Sequence, residues 1–396
     1  MKRIAVVIQR YGTEVNGGAE VYARDIAKRL SEFYEVDILT TTALNDASWE
    51  NFYETGTTQD EKLTVIRFPV DHKKCIYRQF ILSKLLFRTP FRSLTLEKKW
   101  IAYQGPYSPE AIRYIEEKKD DYDAFIFITY LFYLTAFGLP KVADKSIMIP
   151  TAHDERPIWL RYYRELLTKP KAIGFLTEEE KQFVSSIANI SQKDVSVIGS
   201  GVNTPEHTNS ERFRKKYKLT SRYVIYCGRV STGKGCDNLF SYFEKYKKIT
   251  ESELELVILG KIDLPDPSKE YIHCFGFVSD EDKFDALSGA EALILPSQYE
   301  SLSLSVLESL SLGIPVLVNG QSEVLKGHCI RSHAGLYYLS EEEFLEKLKV
   351  IDDDTSEYQK MRTLAPQYVQ KYYSWDRTIN ELRRMIDQIS VNESNK

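Results

Sequence analysis

"PSQYESLSLSVLESLSLGIPVLV", residues 296–318, decides how the second half of the chain folds. Its alternating serines and leucines are typical of a strand, but Leu304, Leu307 and Leu310 have the spacing of the buried side of a helix. One alternative is a sixth strand with solvated glutamates. Because ALILP and IPVLV on either side are strands, we favour a helix between them, with Ser301 to Ser305 as its first turn.

A helix that begins at these serines would offer unpaired N–H groups and a positive dipole end to an anion such as phosphate. Glu300 and Glu308 would then stand about 12 Å apart along the axis, at 1.5 Å per residue. That separation is comparable to the distance from sugar to ribose across a nucleotide diphosphate. The stretch therefore predicts a binding site for a nucleotide diphosphate that carries a sugar. Its residues are the two glutamates together with Ser301, Leu302, Ser303 and Leu304.

Strand and helix patterns alternate over most of the 396 residues, which is typical of parallel sheets covered by helices. The pattern restarts after VSVIGSGVNTP, residues 195–205, and five strands follow. A single core rarely exceeds roughly 250 to 300 residues, so two domains are expected. We predict two Rossmann-like, doubly wound α/β domains, residues 1–198 and 199–370, which face a cleft. A C-terminal helix, residues 371–396, is expected to pack back across both.

In each predicted domain, one glycine-rich turn follows the first strand. Sheets of this kind bind ligands at that place. Gly17 and Gly18 in GTEVNGGAE would let a ligand approach the start of the first helix, unless this is a plain turn. Gly228 in YCGRVSTGKG clears space, and Arg229 and Lys234 are two cations suited to a diphosphate. The alternative for this pair is solvated surface charge.

His153 follows the strand SIMIP and is predicted to face the site, the alternative being a structural loop histidine beside Asp154. Two acidic triplets could suggest a metal site. However, DYD at residues 121–123 precedes a strand, and DED at residues 280–282 is expected to follow a helix cap at Ser279. We therefore predict no metal and no bound cofactor.

Composition gives a net charge of −4 and five scattered cysteines, so neither nucleic-acid binding nor a disulfide framework is expected. The apolar run at the N-terminus is too short for a signal peptide, and we predict a cytoplasmic protein. Residues 124–140 carry no charge, but we favour a strand at Ala124 to Ile128 and a buried helix over a membrane span.

The segment HKKCIYRQFILSKLLFRTPFR, residues 72–92, interleaves basic and bulky apolar residues and contains no acid. Such a segment is typical of contact with an anionic membrane surface. An ordinary helix packed on the N-terminal domain is an equal alternative. The first interpretation would place the protein at the inner face of the membrane.

Several pieces of the chain together resemble the retaining glycosyltransferases of GT-B fold, family 4, of the type that builds bacterial polysaccharides and cell-surface glycans. These pieces are NGGAE, AHDE, GR with KG at residues 228–235, FGFVSDEDKFDAL, two glutamates separated by seven residues, and YSW near the C-terminus. The resemblance extends over essentially the whole length. It departs from the family where Ser301-Leu302-Ser303 replaces the usual Gly-Phe-Gly.

The resemblance implies a role for each matching residue. Arg229 and Lys234 would bind the donor diphosphate, Glu308 the ribose and Glu300 the transferred sugar. His153 would contact that sugar from the other domain, and backbone near Val278 would meet the base. The acceptor would be a carbohydrate, free or lipid-linked, and we place its pocket near Gly17 and the aromatic run at residues 130–133.

The implied reaction moves a hexose-like sugar from a nucleotide diphosphate to this acceptor with retention of configuration and without a metal. A sugar-nucleotide epimerase would convert the donor without any acceptor. A two-lobed sugar-binding protein would perform no chemistry, but such proteins usually carry an export signal, which this sequence does not show at its start.

Overall fold

The computed structural model describes the backbone of residues 1–15, 17–88 and 93–394, and side chains as far as Ile389. Contacts divide the chain into two compact units. The first comprises Met1–Ser200 and Asp376–Lys396, and the second Gly201–Trp375. The sequence had suggested boundaries at 198/199 and 370/371.

The first unit is built around an eight-stranded sheet of order β3-β4-β2-β1-β5-β6-β7-β8. All neighbouring strands are parallel except β3, which pairs with β4 in the antiparallel direction. The strands are β1 (Arg3–Val7), β2 (Glu35–Thr41), β3 (Gly56–Asp60), β4 (Leu63–Phe68), β5 (Ala124–Ile128), β6 (Ser146–Ile149), β7 (Ala172–Phe175) and β8 (Asp194–Val197).

Helices cover this sheet because their apolar residues recur on one side, as in α1, whose buried residues include Tyr22, Ala23, Ile26, Ala27 and Leu30. The helices are α1 (Gly18–Leu30), α2 (Ile76–Arg88), α3 (Leu94–Gln104), α4 (Pro109–Glu117), α5 (Tyr133–Gly138), α6 (Arg161–Leu166) and α7 (Glu178–Ile187). The core lies between these helices and strands such as β5, whose five residues are all buried.

The second unit has a six-stranded, wholly parallel sheet of order β11-β10-β9-β12-β13-β14. Its strands are β9 (Tyr223–Cys227), β10 (Glu255–Leu259), β11 (Ile272–Cys274), β12 (Leu293–Leu295), β13 (Val316–Asn319) and β14 (Gly335–Tyr338). The helices are α8 (Ser210–Tyr217), α9 (Cys236–Ile249), α10 (Asp280–Ser288), α11 (Leu304–Ser311), α12 (Glu323–Ser332), α13 (Glu341–Asp352) and α14 (Ser356–Tyr372).

The last helix, α15 (Trp375–Ser394), belongs to the first unit from Asp376 onward. Thr378 Oγ1 donates to the carbonyl of Ile198 at 2.9 Å, and Arg384 pairs with Asp194 at 3.0 Å. The chain thus leaves the first unit after β8 and returns beside it. Packing of this helix across both units, expected from the sequence, stays a prediction.

The α/β class with two parallel sheets is confirmed, and so is the strand predicted at Ala124–Ile128. The second sheet has one strand more than the five expected, namely β14, which begins at Gly335. The residues between β12 and β13 form α11, so a strand there is excluded. Among the described residues, no helix is both long and apolar enough to span a bilayer.

Candidate active site

The helix expected from residues 296–318 is present, but it begins three residues later than predicted. α11 starts at Leu304, and Ser303 precedes it as the N-cap residue. Ser301 and Leu302 therefore belong to the loop after β12, and the first free N–H groups belong to Leu304 and its neighbours. Val306, Leu307 and Leu310 are buried, whereas Leu304 is half-buried.

Ser303 explains the late start, because its φ of +69° is left-handed. This conformation costs an L-residue roughly 1–2 kcal/mol and is adopted freely only by glycine. It falls where the resembling family usually has the second glycine of Gly-Phe-Gly. Ser303 Oγ lies 3.2 Å from Ser305 Oγ, so the two hydroxyls share a hydrogen bond at the start of the helix.

The loop after β9 lies against the end of β12 and joins two of the predicted donor residues. Lys234 Nζ donates to Glu300 Oε1 at 2.6 Å, with side chains 39% and 14% exposed. Gly235 has a φ of +73°, and a Cβ there would stand 2.6 Å from the carbonyl oxygen of Pro296. Glycine is needed at 235 because this close approach brings Lys234 to Glu300.

Arg229, the other predicted phosphate ligand, is held by an acid from the loop after β10. Its Nε donates to Asp263 Oδ2 at 2.6 Å, and this bond lowers the pKa of Asp263. Tyr226 Oη donates to the Arg229 carbonyl at 2.7 Å, which fixes the turn at Gly228, where φ is +154°. The arginine is 46% exposed, so a ligand can reach it.

Glu308, the predicted ribose ligand, pairs with Lys283 of α10 at 2.8 Å. The exposed fractions of the two side chains are 17% for the glutamate and 24% for the lysine. Burial opposes the charge of Lys283, but the charge of Glu308 and its hydrogen bond raise the lysine pKa above its ordinary value. The Glu308 carboxyl group lies beside this cation, and its oxygens can accept hydrogen bonds from hydroxyl groups.

Val278 lies between β11 and the start of α10 and is half-buried. Its neighbour Phe277 is 70% exposed, which is unusual for a large apolar side chain. Ser279 caps α10 by accepting a hydrogen bond from the Asp282 N–H at 3.1 Å, as the sequence predicted. The base-binding role implied for backbone near Val278 stays a prediction.

In the first unit, the space beside Gly17 is occupied by the side chain of Glu20. A Cβ at Gly17 would collide with the carboxylate of Glu20, which accepts hydrogen bonds from Gln9 and Arg10 at 2.9 Å. A Cβ at Gly18 would meet nothing within 4 Å. Asn16, which completes the NGGAE motif, lies outside the described residues.

His153 follows β6 and belongs to a small network of polar groups. Its Nε2 lies 3.6 Å from Glu155 Oε1, and Tyr130 Oη donates to the same oxygen at 2.7 Å. Burial opposes the charge of Glu155, but the hydrogen bond and charge of His153, and the Tyr130 bond, hold its pKa below the ordinary value. Tyr130 and Tyr133 are buried, and the acceptor pocket expected near Gly17 and residues 130–133 stays a prediction.

The two acidic triplets have structural roles. Asp123 Oδ2 accepts the N–H of Arg3 at 2.8 Å, at the amino end of the sheet, and Asp282 pairs with Lys216 at 2.6 Å. Within the described parts of the chain, no group of three His, Cys, Asp or Glu residues has the arrangement of a metal site. The expectation of metal independence stays a prediction.

Sequence reasoning missed Asp263, Lys283 and the buried Glu180, which pair with or support predicted site residues. Glu180 accepts the N–H groups of Ala152 at 2.6 Å and Leu176 at 2.7 Å, and Ala152 adjoins His153. Burial raises the pKa of Glu180 to about 8. The signal available for Lys283 was its place one residue after DED in the quoted motif, whereas nothing nearby in sequence marked the other two.

Comparison with known structures places this architecture in the GT-B class. Sucrose-phosphate synthase from Thermosynechococcus elongatus is superimposed over 99% of this chain and 100% of its own, with a TM-score of 0.73 at 13% identity. HepE from Anabaena, solved with UDP and glucose, matches over 98% of this chain and 100% of its own, with a TM-score of 0.70 at 12% identity.

The sequence leads to the same class. Residues 208–365 match the family model described as Glycosyl transferases group 1, and these residues lie within the second unit. Mannosylfructose-phosphate synthase from Agrobacterium fabrum is 21% identical over 82% of this chain and 75% of its own length. Residues 208–365 therefore match a group 1 glycosyltransferase domain, and the two-sheet architecture is that of the GT-B fold, so both findings support the resemblance to family 4.

Proposed function

We propose that the protein transfers a sugar from a nucleotide diphosphate to a carbohydrate acceptor with retention of anomeric configuration. The observation that carries this proposal is the cluster at the carboxyl ends of β9 and β12, where Lys234, Glu300 and the start of α11 meet. It supplies two cations, counting Arg229, and free N–H groups for a diphosphate. Carboxylates on either side are suited to accepting hydroxyl hydrogen bonds.

In the proposed reaction, negative charge grows on the diphosphate as the bond from its oxygen to the sugar breaks. Arg229, Lys234 and the N–H groups at the start of α11 would stabilise this charge, and such electrostatic stabilisation usually supplies most of an enzyme's rate enhancement. Lys234 would exchange Glu300 for a phosphate oxygen, and Glu300 would then be available to the sugar. The acceptor oxygen forms the new bond, and its proton passes to the departing phosphate.

A panel of nucleotide sugars tests this proposal and its rivals together. A transferase releases nucleotide quickly only with a suitable acceptor and yields a product with the donor's anomeric configuration by proton NMR. An epimerase would convert the sugar of the donor without releasing nucleotide, and a binding protein would leave the donor unchanged. Full activity after EDTA treatment would support metal independence. Loss of activity that Mg²⁺ restores would contradict it.

We also propose that α2 lies on an anionic membrane surface, which suits a lipid-linked acceptor and a location at the inner face of the membrane. Only Leu86 of this helix is buried. Five of its apolar side chains are exposed, by between 38% and 72%, and they are Ile76, Tyr77, Phe80, Ile81 and Leu85. Lys84 Nζ lies 4.3 Å from the centre of the Phe80 ring, so basic and apolar groups occur together.

Flotation with vesicles containing phosphatidylglycerol tests the membrane contact. Each basic residue near such a surface contributes about 1 kcal/mol, so neutralising the cations of residues 72–88 should abolish flotation. Arg92 belongs to the predicted segment but lies outside the described residues. A matched control neutralises exposed lysines of the second unit, namely Lys215, Lys248, Lys349, Lys360 and Lys371. Equal flotation of both variants would contradict the proposal.

A further inference from the structure

His328 of α12 is a fully buried histidine that contacts the loop before α11. Its Nε2 lies 2.8 Å from the carbonyl oxygen of Leu302, and its Nδ1 lies 2.9 Å from Tyr368 Oη. The ring therefore links α14 to the residue immediately before Ser303. Neither its sequence surroundings nor the family resemblance marks His328 as a site residue.

These partners determine which nitrogen carries the proton. A carbonyl oxygen can only accept, so Nε2 must donate to Leu302, and Nδ1 then accepts from the Tyr368 hydroxyl. Tyr368 Oη also lies 3.3 Å from Tyr373 Oη and 3.4 Å from Arg331 Nε. Burial lowers the pKa of His328 to about 4. The hydrogen bond to Leu302 acts in the opposite direction, and the charge of Arg331 lowers the pKa further. The ring is therefore neutral at physiological pH.

The bond to Leu302 also orients the next N–H group. In a planar trans peptide the carbonyl and the following N–H point in opposite directions. With the Leu302 carbonyl directed inward to His328, the Ser303 N–H points away from the ring, on the side opposite the buried imidazole. Ser303 is half-buried, so this N–H belongs to a residue at the surface of the loop.

We propose that His328 is a positioning residue, which holds the Leu302–Ser303 peptide so that its N–H is presented to the donor phosphate. This inference rests on the proposed function, because it assumes that the phosphates bind at the start of α11. It also accounts for a serine at 303. A glycine adopts the left-handed conformation freely, whereas a strained serine persists only where surrounding contacts hold it.

A buried histidine could instead serve only the stability of the core. The two roles differ in what happens to folded protein, because a stabilising residue changes the folded fraction and leaves ligand affinity intact. The test therefore measures affinity by calorimetry on protein shown to be folded by circular dichroism. UDP and inorganic pyrophosphate are the probes, since the effect should act on phosphate groups with or without a base.

Three variants are compared with wild type. His328→Leu removes both hydrogen bonds, and His328→Gln keeps an N–H donor that can reach Leu302. Tyr368→Phe removes the hydroxyl that donates to Nδ1 and leaves the bond from the ring to Leu302 in place. Tyr246→Phe is the matched control, because it also removes the hydroxyl of a buried tyrosine, which donates to Asp352 at 2.7 Å, but in α9.

We expect His328→Leu to weaken binding of both probes by about tenfold, the value of one good hydrogen bond. His328→Gln should recover most of this loss, and Tyr368→Phe should weaken binding by roughly threefold. Tyr246→Phe should lower the unfolding temperature without changing affinity. Folded His328→Leu with wild-type affinity would overturn the inference. If that variant does not fold, wild-type affinity of Tyr368→Phe would overturn it.

Failure of the proposed function gives a different result. In that case wild-type protein binds none of the probes, which are UDP, the diphosphates of guanosine, adenosine and thymidine, and pyrophosphate. The inference about His328 would then fail together with the proposed function. Binding to wild type that is equally strong in the His328 variants would leave the proposed function standing and remove only the role of His328.

Discussion

The loops after β6 and β12 both lie at the carboxyl edge of a parallel sheet, one in each unit, and each is held by one buried titratable side chain. Glu180 accepts the N–H groups of Ala152 and Leu176 in the first unit. His328 donates to the carbonyl of Leu302 in the second. The two units therefore fix loops at the same edge of their sheets with groups of opposite hydrogen-bonding character.

This difference affects what each loop can offer to a ligand. The carboxyl oxygens of Glu180 use up backbone N–H groups, so the loop before His153 has fewer of them for an anion. A buried imidazole that donates uses up a carbonyl and leaves the N–H groups of the second loop outside. Two sheets of similar architecture can thus bind different chemistry, and the supporting residue contributes to that choice.

The largest expected effect concerns the acid side of this pair. The pKa of Glu180 is raised to about 8 in the folded protein, so its contribution to stability is complete below its ordinary value of 4.5 and is lost as pH rises through 8. The loss amounts to roughly 5 kcal/mol at 1.36 kcal/mol per pKa unit. Glu180→Gln should abolish this dependence, measured by urea unfolding.

Tryptophan fluorescence is a suitable probe, because Trp49, Trp100 and Trp159 all lie in the first unit. His153 and Tyr22 also interact electrostatically with Glu180. The pH dependence of unfolding is therefore compared between wild type and Glu180→Gln, which share both residues. Glu178→Gln, at an exposed position of the same helical turn, is the control and should keep the wild-type slope. Equal pH dependence of wild type and Glu180→Gln would show that Glu180 does not cause the loss of stability at high pH.

The second prediction tests the proposed donor site beside the loop held by His328. Arg229→Ala and Lys234→Ala should each reduce kcat by about 10²- to 10³-fold, as loss of a group that stabilises developing charge does. Glu300→Ala should also reduce kcat strongly, because the transferred sugar loses a hydrogen-bond acceptor. Lys349→Ala, which breaks an exposed ion pair on α13, should retain wild-type kcat. Wild-type rates in all three site variants would end the proposed mechanism.

His328 should give the opposite pH dependence from Glu180. Its folded pKa is lowered from 6.5 to about 4, so stability is full above 6.5 and falls as pH decreases toward 4. The expected loss is roughly 3 kcal/mol and should vanish in His328→Gln. Hydrogen exchange in β13, corrected for intrinsic rates at each pH, measures it. A slope unchanged by the substitution would show that another group titrates.

The smallest expected effect is that of Ser303→Gly. Glycine relieves roughly 1–2 kcal/mol of left-handed strain but loses the bond to Ser305 and adds unfolded-state entropy, so a net stabilisation below about 1 kcal/mol is expected. With strain relieved, the His328→Leu substitution should cost less than it does beside Ser303. A double-mutant cycle measures this coupling, and strictly additive effects would contradict it.

Hydrophobic spacing was sufficient to predict α11 and the strands around it, because burial of leucines dominates its local structure. Its start was placed wrongly, since spacing does not report that Ser303 adopts a positive φ. β3 was missed because Gly56–Asp60 is polar and exposed at the edge of the sheet. β14 was also missed; it is an edge strand that begins at a glycine and has only two buried residues.

Charges at the site were predictable one by one, but their partners were not. Lys234 and Glu300 were both identified, yet their sequence separation of 66 conceals that they form an ion pair. Asp263 and Lys283 reach Arg229 and Glu308 only through the order of strands in the sheet. A buried residue such as His328 carries no local signal at all, since its role depends on a carbonyl 26 residues away.

The division of the chain has a consequence for its synthesis. The second unit is one continuous segment, Gly201–Trp375, so all of it has been made when its last residue leaves the ribosome. The first unit begins with Met1 but needs α15, whose Thr378 and Arg384 contact Ile198 and Asp194. Of the two units, the one whose first residues are translated earlier is therefore the one completed later, because its contacts with α15 form only after the residues from Asp376 onward have been made.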